Sequence, residues 1–188
     1  MMVRVLAVVF AVVCALPALA QTKLPAGLDP QNTILMDLKY GRIVIKLRPD
    51  LAPKHAERIK RLTREGFYNN CPFHRVIAGF MAQTGDGSKG DGTGGSKYPD
   101  LPAEFSAVPF TRGIVGMARR GDSVNSANSQ FFIMYGTAAG LNGQYTVIGE
   151  VVSGMDVVDK IKKGPEAQNG AVTNPDRIVR MQVAADAK

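Results

Sequence analysis

The sequence predicts a mainly β protein with a closed or nearly closed β-structure and two helices. Three observations lead to this fold class. About eight short segments have the hydrophobic pattern of strands. Two segments have helical periodicity and lie far apart in the chain. The strands do not alternate with helices as they do in a βαβ array, which argues against a parallel sheet.

The first twenty residues have the pattern of a secretory signal peptide. Arg4 is followed by an uncharged stretch from Val5 to Ala20, which ends in a small-x-small pattern before Gln21. We expect cleavage after Ala20 and export of the protein. The expected destination is the periplasm, and secretion into the medium is the alternative. After cleavage we expect no stable membrane insertion. An uncleaved anchor is the competing interpretation, although the stretch is shorter than the roughly 20 residues of an untilted spanning helix.

The length and composition fit one globular domain that is held together by its core. The chain has 188 residues, of which 45% are hydrophobic and 21% charged. Cleavage would remove Cys14 and leave Cys71 as a single thiol, so no intramolecular disulfide is expected. A domain of this size buries enough surface to fold without one.

The predicted domain begins with a β-hairpin. Residues 21–31 contain two prolines and no periodicity, which predicts a linker or irregular lead-in before a domain over residues 32–188. From Thr33 onwards, apolar and polar residues alternate on both sides of Gly41, which is typical of a hairpin with one buried face. The residues expected on that face are Ile34, Met36, Leu38, Tyr40, Ile43, Ile45 and Leu47.

Two helices are predicted. The first begins near Pro53, stops before Gly66, and has an apolar stripe of Ala56, Ile59 and Leu62. The second spans Ser153–Lys163. Much of the net charge of +7 lies on the first helix, and we interpret it as a solvated face. No aromatic residues are interleaved there for base stacking, so nucleic-acid binding is the weaker alternative.

Several motifs in the middle of the chain resemble known sites but lack their context. The glycine-rich segment from Gly85 to Tyr98 matches G-x-G-x-x-G twice, yet no helix follows it, so nucleotide binding is not expected. His55 and His74 have no Cys or Glu at ligand spacing, so we expect no zinc or other metal site. Further strands are predicted at Phe73–Ile77, Phe80–Thr84, Gly113–Ala118, Gln130–Tyr135, Tyr145–Val152 and Ile178–Val183.

Two segments, residues 68–86 and 125–133, carry the remaining candidate chemistry. In a strand, Phe73, Arg75 and Ile77 would lie on one face. Met81 and Gln83 would likewise lie on one face of the next strand. One cation would then lie among aromatic, thioether and amide side chains. The alternative is that the apolar residues are ordinary core and Arg75 is a rim charge.

Four blocks in these regions resemble the signature blocks of cyclophilin-type peptidyl-prolyl cis-trans isomerases. The blocks are Phe73–Ile77, Phe80–Asp86, Asn125–Ile133 and Leu141–Gly149. The resemblance runs from about Thr33 to Val183 and implies an eight-stranded antiparallel β-barrel capped by two α-helices, which agrees with the element count. Gly140 stands where many eukaryotic members carry Trp. This difference argues against tight cyclosporin binding but not against isomerase activity.

The resemblance implies rotation about X–Pro amides without breaking a bond and without a cofactor. Arg75 would be catalytic, stabilising the proline nitrogen as it loses conjugation. The substrate-binding residues implied are Phe80, Met81, Phe132 and Leu141 for the proline pocket, Gln83 to bond substrate or Arg75, Ala118 and Arg119 for main-chain pairing, Gln130 on the groove floor and Tyr145 at the pocket edge. The expected partners are proline-containing peptides and unfolded or folding proteins, and we expect a monomer. The alternative is a non-catalytic module of the same fold that binds proline-containing segments.

Overall fold

The computed structural model of the protein describes residues 24–187. The predicted signal peptide, residues 1–20, and the first residues of the predicted lead-in lie outside the described residues. Two helices and eight strands form the fold, in the order β1 Thr33–Leu38, β2 Gly41–Leu47, α1 Pro53–Arg64, β3 Arg75–Ile77, β4 Met81–Thr84, β5 Ile114–Met117, β6 Phe131–Met134, β7 Val147–Ser153, α2 Met155–Asp159 and β8 Arg180–Val183. No helix among the described residues is long and apolar enough to cross a membrane.

The eight strands form one antiparallel sheet in the order β3-β4-β6-β5-β7-β2-β1-β8. Main-chain bonds join the segment that enters β3 to the segment that precedes β8. The Asn70 amide donates to the Ile178 carbonyl at 2.8 Å, and the Phe73 amide donates to the Asp176 carbonyl at 2.9 Å. The sheet is therefore curled so that its two edges meet. This confirms the mainly β fold with eight antiparallel strands and two helices.

One hydrophobic core fills the interior of the curled sheet, and both helices pack against it. Alternate strand positions such as Ile34, Met36 and Ile133 are fully buried there. From α1, Ile59 and Leu62 reach the same core, as the sequence predicts. The apolar periodicity of the strands and of α1 therefore points to one common interior.

The N-terminus of α1 is capped from a distant part of the chain. Its N-cap residue, Ala52, has no side chain that accepts a hydrogen bond. The Glu104 carboxylate instead accepts the main-chain N–H groups of Lys54 and His55, at 3.3 and 3.1 Å. It also lies 2.6 Å from the Nδ1 atom of His55, whose side chain is fully buried. One partly buried carboxylate therefore bonds both the helix N-terminus and one nitrogen of the imidazole.

Two local predictions differ from the structure. Tyr40 lies in the β1–β2 turn rather than on the buried face, is 37% exposed and directs its hydroxyl towards Asp176. The second helix is shorter than predicted, because Ser153 ends β7 and Gly154 has the left-handed φ of 89°. After the helix, the Asp176 carboxylate accepts the Lys162 amide at 2.8 Å, and this bond takes the chain out of helical geometry.

The burial of His55 predicts a loss of stability in mild acid. Burial lowers the pKa of His55 below its ordinary value of 6.5, because desolvation of the imidazolium outweighs the nearby Glu104 carboxylate. The unfolded chain binds the proton more readily than the folded one, so this contribution to stability is complete above about pH 6.5 and decreases as the pH falls. We expect His55→Asn, whose amide can still donate to Glu104, to flatten this part of the pH dependence. Urea unfolding at several pH values between 7.5 and 5.5 measures the free energy of unfolding. If this free energy changed equally with pH in the variant and in the parent, the prediction would be contradicted.

Candidate active site

The register of four strands sets the site in a row across the outer face of the sheet. Arg75 on β3 lies opposite Gln83 on β4, which lies opposite Phe132 on β6. Phe132 in turn lies opposite Gly116 on β5. A Cβ atom at Gly116 would come within 2.6 Å of the rings of both Phe110 and Phe132. The missing side chain therefore leaves the room in which these two rings pack.

A second apolar cluster lies beneath this row, on the opposite face of the sheet from the main core. Its buried members are Met81, Phe110, Phe132, Met134 and Val147. Phe110 and Phe132 stack with their ring centroids 5.7 Å apart, and the ring of Tyr145 meets Phe132 edge-on at 5.7 Å. Rings that are held on two sides give the site a rigid apolar floor.

A cavity of about 170 Å³ opens above this floor. Nine of the ten predicted site residues line it: Arg75, Phe80, Met81, Gln83, Ala118, Arg119, Phe132, Leu141 and Tyr145. A larger cavity of about 550 Å³ adjoins it and shares Gln83, Ala118 and Arg119. The tenth predicted residue, Gln130, lines the larger cavity. The structure thus brings all ten predicted site residues to these two cavities.

The Arg75 guanidinium lies at the edge of the smaller cavity and is held by neutral acceptors. Its Nη1 atom donates to Gln83 Oε1 at 3.3 Å and lies 3.9 Å from the sulfur of Met81. Its Nε and Nη2 atoms bond to Asn169. Arg75 forms no salt bridge within residues 24–187. Partial burial lowers the pKa of Arg75, but guanidinium ionises at so high a pH that the group remains a cation.

Gln83 is fixed in turn by Gln130. The Gln83 amide donates to Gln130 Oε1 at 2.9 Å, and Gln130 Nε2 donates to the carbonyls of Gly92 and Gly94 at 2.9 and 2.8 Å. An unbroken chain of hydrogen bonds therefore runs from the glycine-rich loop to the guanidinium. Gln130 lines the larger cavity and reaches the smaller one through its side-chain bond to Gln83.

The glycine-rich loop is wound around the carboxylate of Asp86. Main-chain N–H groups of Lys89, Gly92 and Gly94 each donate to it at 2.9 Å. Burial alone would raise the pKa of Asp86, but these amides outweigh burial and hold the pKa well below its ordinary value of 3.8. At Gly94, a Cβ atom would lie 2.3 Å from the carboxylate, so this position has no room for a side chain. Gly94 thus lets the loop close on Asp86.

The two residues predicted for main-chain pairing differ in what they offer. The Ala118 amide already donates to the Gln130 carbonyl at 2.9 Å. The main chain of Arg119 enters no backbone hydrogen bond within the described part of the protein. Its side chain lies over the Tyr145 ring, with the guanidinium carbon 4.5 Å from the centroid. A peptide strand could therefore pair with the Ala118 carbonyl and the Arg119 main chain, but not with the Ala118 amide.

One predicted neighbour of Arg75 is wrong, and two residues were missed. Phe73 does not share a face with Arg75, because β3 begins only at Arg75 and Phe73 turns into the main core. Phe110 was missed because its segment has no periodicity that would locate its ring under Phe132. Asn169 was missed because it is 94 positions from Arg75 in the chain. The Asn-Gly dipeptide that begins at Asn169 is typical of a turn, but it does not indicate which residue the turn contacts.

The sequence model of the family described as cyclophilin type peptidyl-prolyl cis-trans isomerase/CLD matches residues 33–183. The chain therefore belongs to this family, and its enzyme class is peptidyl-prolyl cis-trans isomerase. The matched range agrees with the extent of the resemblance seen in the sequence blocks.

Individual relatives agree with this assignment. A probable peptidyl-prolyl cis-trans isomerase of Brucella suis is 62% identical over 170 residues, which cover 85% of this chain and 86% of the relative. The crystal structure of cyclophilin AquaCyp293 from Hirschia baltica is similar with a TM-score of 0.76 and 26% identity, covering 86% of this chain and 77% of that one. A Cryptosporidium parvum cyclophilin-type isomerase, crystallised in the presence of the dipeptide Ala-Pro, has a TM-score of 0.73 and 27% identity and covers 80% of this chain and 98% of its own.

Removing the charge of Asp86 should loosen the glycine-rich loop. In Asp86→Asn, one carboxylate oxygen becomes an NH₂ group that faces main-chain donors, so at least one buried N–H loses its acceptor. We expect a loss of about 1–3 kcal/mol in the free energy of unfolding, measured with urea. Asp91→Asn is the matched control, because Asp91 is exposed and, among residues 24–187, accepts side-chain hydrogen bonds from Thr93 alone. It should change stability by less than about 0.5 kcal/mol. Equal effects of the two substitutions would contradict the role given to Asp86.

Proposed function

We propose that this protein accelerates X–Pro bond rotation in exported proteins as they fold, with Arg75 stabilising the twisted amide while the apolar cavity holds the proline ring. The main observation in support is that the Arg75 guanidinium, fixed by hydrogen bonds, lies at the edge of a rigid apolar cavity. At about 170 Å³ the cavity is smaller than the roughly 300–1,000 Å³ of small-molecule sites, so it suits one small side chain.

The reaction needs electrostatic help rather than a nucleophile. Amide resonance gives X–Pro rotation a barrier of roughly 18–20 kcal/mol, and the uncatalysed step takes tens of seconds at room temperature. A 10⁵-fold acceleration requires about 7 kcal/mol of binding that is present in the transition state but not in the ground state. As the bond twists, the proline nitrogen loses conjugation and gains a lone pair. A hydrogen-bond donor aimed at that lone pair supplies differential binding of this kind.

Arg75 has the properties of such a donor. The Nη1 end of its guanidinium contacts Met81 and Gln83, which also line the cavity, and no carboxylate in the described residues neutralises it. Its partial burial strengthens a hydrogen bond to a developing lone pair, because the surroundings are poorer in water. Gln83, held by Gln130, keeps the guanidinium from swinging towards solvent. Positional restraint of this kind reduces the reorganisation that the transition state would otherwise require.

The substrate is held on both sides of the rotating bond. Phe80, Met81, Phe132 and Leu141 would grip the proline ring, while the Ala118 carbonyl and the Arg119 main chain would pair with the extended peptide. One side of the bond is then fixed by apolar contact and the other by hydrogen bonds. Support for a proline-containing ligand comes from the Cryptosporidium parvum relative, which was crystallised in the presence of Ala-Pro.

Replacing Arg75 should abolish most of the activity without unfolding the protein. For Arg75→Ala we expect the cis/trans exchange rate of an Ala-Pro peptide to fall by about 10²-fold or more, the loss typical of one preorganised donor. Arg75→Lys keeps the charge but loses the planar fork of donors, so it should recover only part of the rate. Exchange NMR on the peptide measures both variants.

A control variant and two possible results test the role of Arg75. Arg180→Ala removes an exposed cation on β8, outside both cavities, and should leave the exchange rate unchanged. Full activity in folded Arg75→Ala would show that another group is catalytic. A parent protein that binds the peptide but exchanges it no faster than buffer would instead support the non-catalytic binding module.

The export part of the proposal rests on the sequence of residues 1–20. An uncharged stretch and a small-x-small pattern favour cleavage after Ala20, with the periplasm as the expected destination and secretion as the alternative. N-terminal sequencing of the protein from fractionated cells should find Gln21 as the first residue, in the periplasmic fraction or the medium. A chain recovered from the cytoplasm that still begins at Met1 or Met2 would contradict this.

A further inference from the structure

Arg75 makes its two shortest hydrogen bonds to a residue that lies outside both cavities. The Nε atom donates to the Asn169 carbonyl at 3.1 Å, and Nη2 donates to Asn169 Oδ1 at 2.9 Å. Both bonds leave from the same edge of the guanidinium. The Nη1 atom at the other end contacts Gln83 and Met81 in the cavity. One edge therefore serves as an anchor, while the other end faces the space that a substrate would occupy.

The position of Asn169 is fixed independently of Arg75. It ends a short turn at Glu166–Gln168 and has the left-handed φ of 52°. The next residue, Gly170, accepts the Val76 amide through its carbonyl at 2.8 Å, and a Cβ atom at Gly170 would come within 2.4 Å of Ile77. The turn is thus bonded through its main chain to β3, the strand that carries Arg75.

We infer that Asn169 is a positioning residue, whose main-chain and side-chain oxygens together set the plane and direction of the Arg75 guanidinium. The inference rests on the proposed role of Arg75. Two acceptors on one residue match two parallel N–H bonds of the guanidinium, which is the geometry that restricts rotation about its last bonds. Asn suits this position for two reasons. It tolerates the left-handed conformation, and it carries an acceptor that glycine lacks.

The chain contains a matched control for this residue. Asn174 is also exposed and has the same φ of 52°, but it does not contact Arg75. Replacing either asparagine with glycine relieves the same backbone strain and loses the same side chain. Effects on stability should therefore be similar for Asn169→Gly and Asn174→Gly, and the kinetic difference between them reports the contact with Arg75.

The experiment measures peptide exchange kinetics, thermal unfolding and the NMR signal of the Arg75 Nε–H group in four proteins. These are the parent, Asn169→Gly, Asn174→Gly and Asn169→Asp. For Asn169→Gly we expect kcat to fall about tenfold, the loss that corresponds to one hydrogen bond to a charged group. KM should stay nearly constant, because Asn169 does not line the cavity. The Arg75 Nε–H signal should shift in this variant and remain unchanged in Asn174→Gly.

The aspartate variant tests the acceptor itself. Asn169→Asp keeps an oxygen near the position of Oδ1 but adds a charge that partly compensates the guanidinium, so its kcat should lie above that of Asn169→Gly and below that of the parent. Equal kcat values and an unshifted Arg75 signal in Asn169→Gly would overturn the inference, as would an equal loss in Asn174→Gly. Failure of the proposed function gives a different result, because Arg75→Ala would then be active. A loss of activity in Arg75→Ala together with an unaffected Asn169→Gly would overturn the positioning role alone.

Discussion

The register between β3, β4, β6 and β5 is the constraint on which the site depends. It sets Arg75, Gln83, Phe132 and Gly116 side by side on the outer face of the sheet. Side chains alternate between the two faces along a strand. If one strand slipped by one residue, its side chain in this row would therefore point towards the main core. The buried side chains of the same strands prevent that slip, since Ala82 and Ile133 occupy the interior. Packing inside the sheet thus determines chemistry outside it.

The polar part of the site is organised by neutral groups around one cation. Gln83 and Asn169 hold the Arg75 guanidinium, while the anionic Asp86 acts at a distance through the loop amides and Gln130. A carboxylate in direct contact would have bound the guanidinium more strongly and reduced its attraction for a substrate lone pair. Amide acceptors fix the direction of the donor and leave its charge uncompensated.

Elements and site residues that depend on local periodicity or on long motifs could be predicted from the sequence. Side-chain positions that depend on contacts between distant segments could not. Alternation located the hairpin, and the resemblance to the family pointed to nine residues around one cavity, seven of them within the four blocks. Tyr40 continued the alternation but fell in the turn, where no strand partner fixed its direction. Phe110 lies in a segment without periodicity, and its role comes from the space above Gly116. Asn169 meets Arg75 because the segment around Gly170 bonds through its main chain to β3, and local sequence does not encode that contact.

The closure of the sheet also determines where the domain begins and ends. β1 and β8 are neighbours, with Ile34 opposite Val183, and Asp186 bonds to Arg64 beside the first described turn. The ends of the domain therefore emerge together, and neither lines the cavity that contains Arg75. A domain whose first and last strands are neighbours is a candidate for circular permutation, because a short linker could join its ends and a surface loop could supply new termini. The connectivity of the strands would change, while the row of side chains that forms the site would be retained.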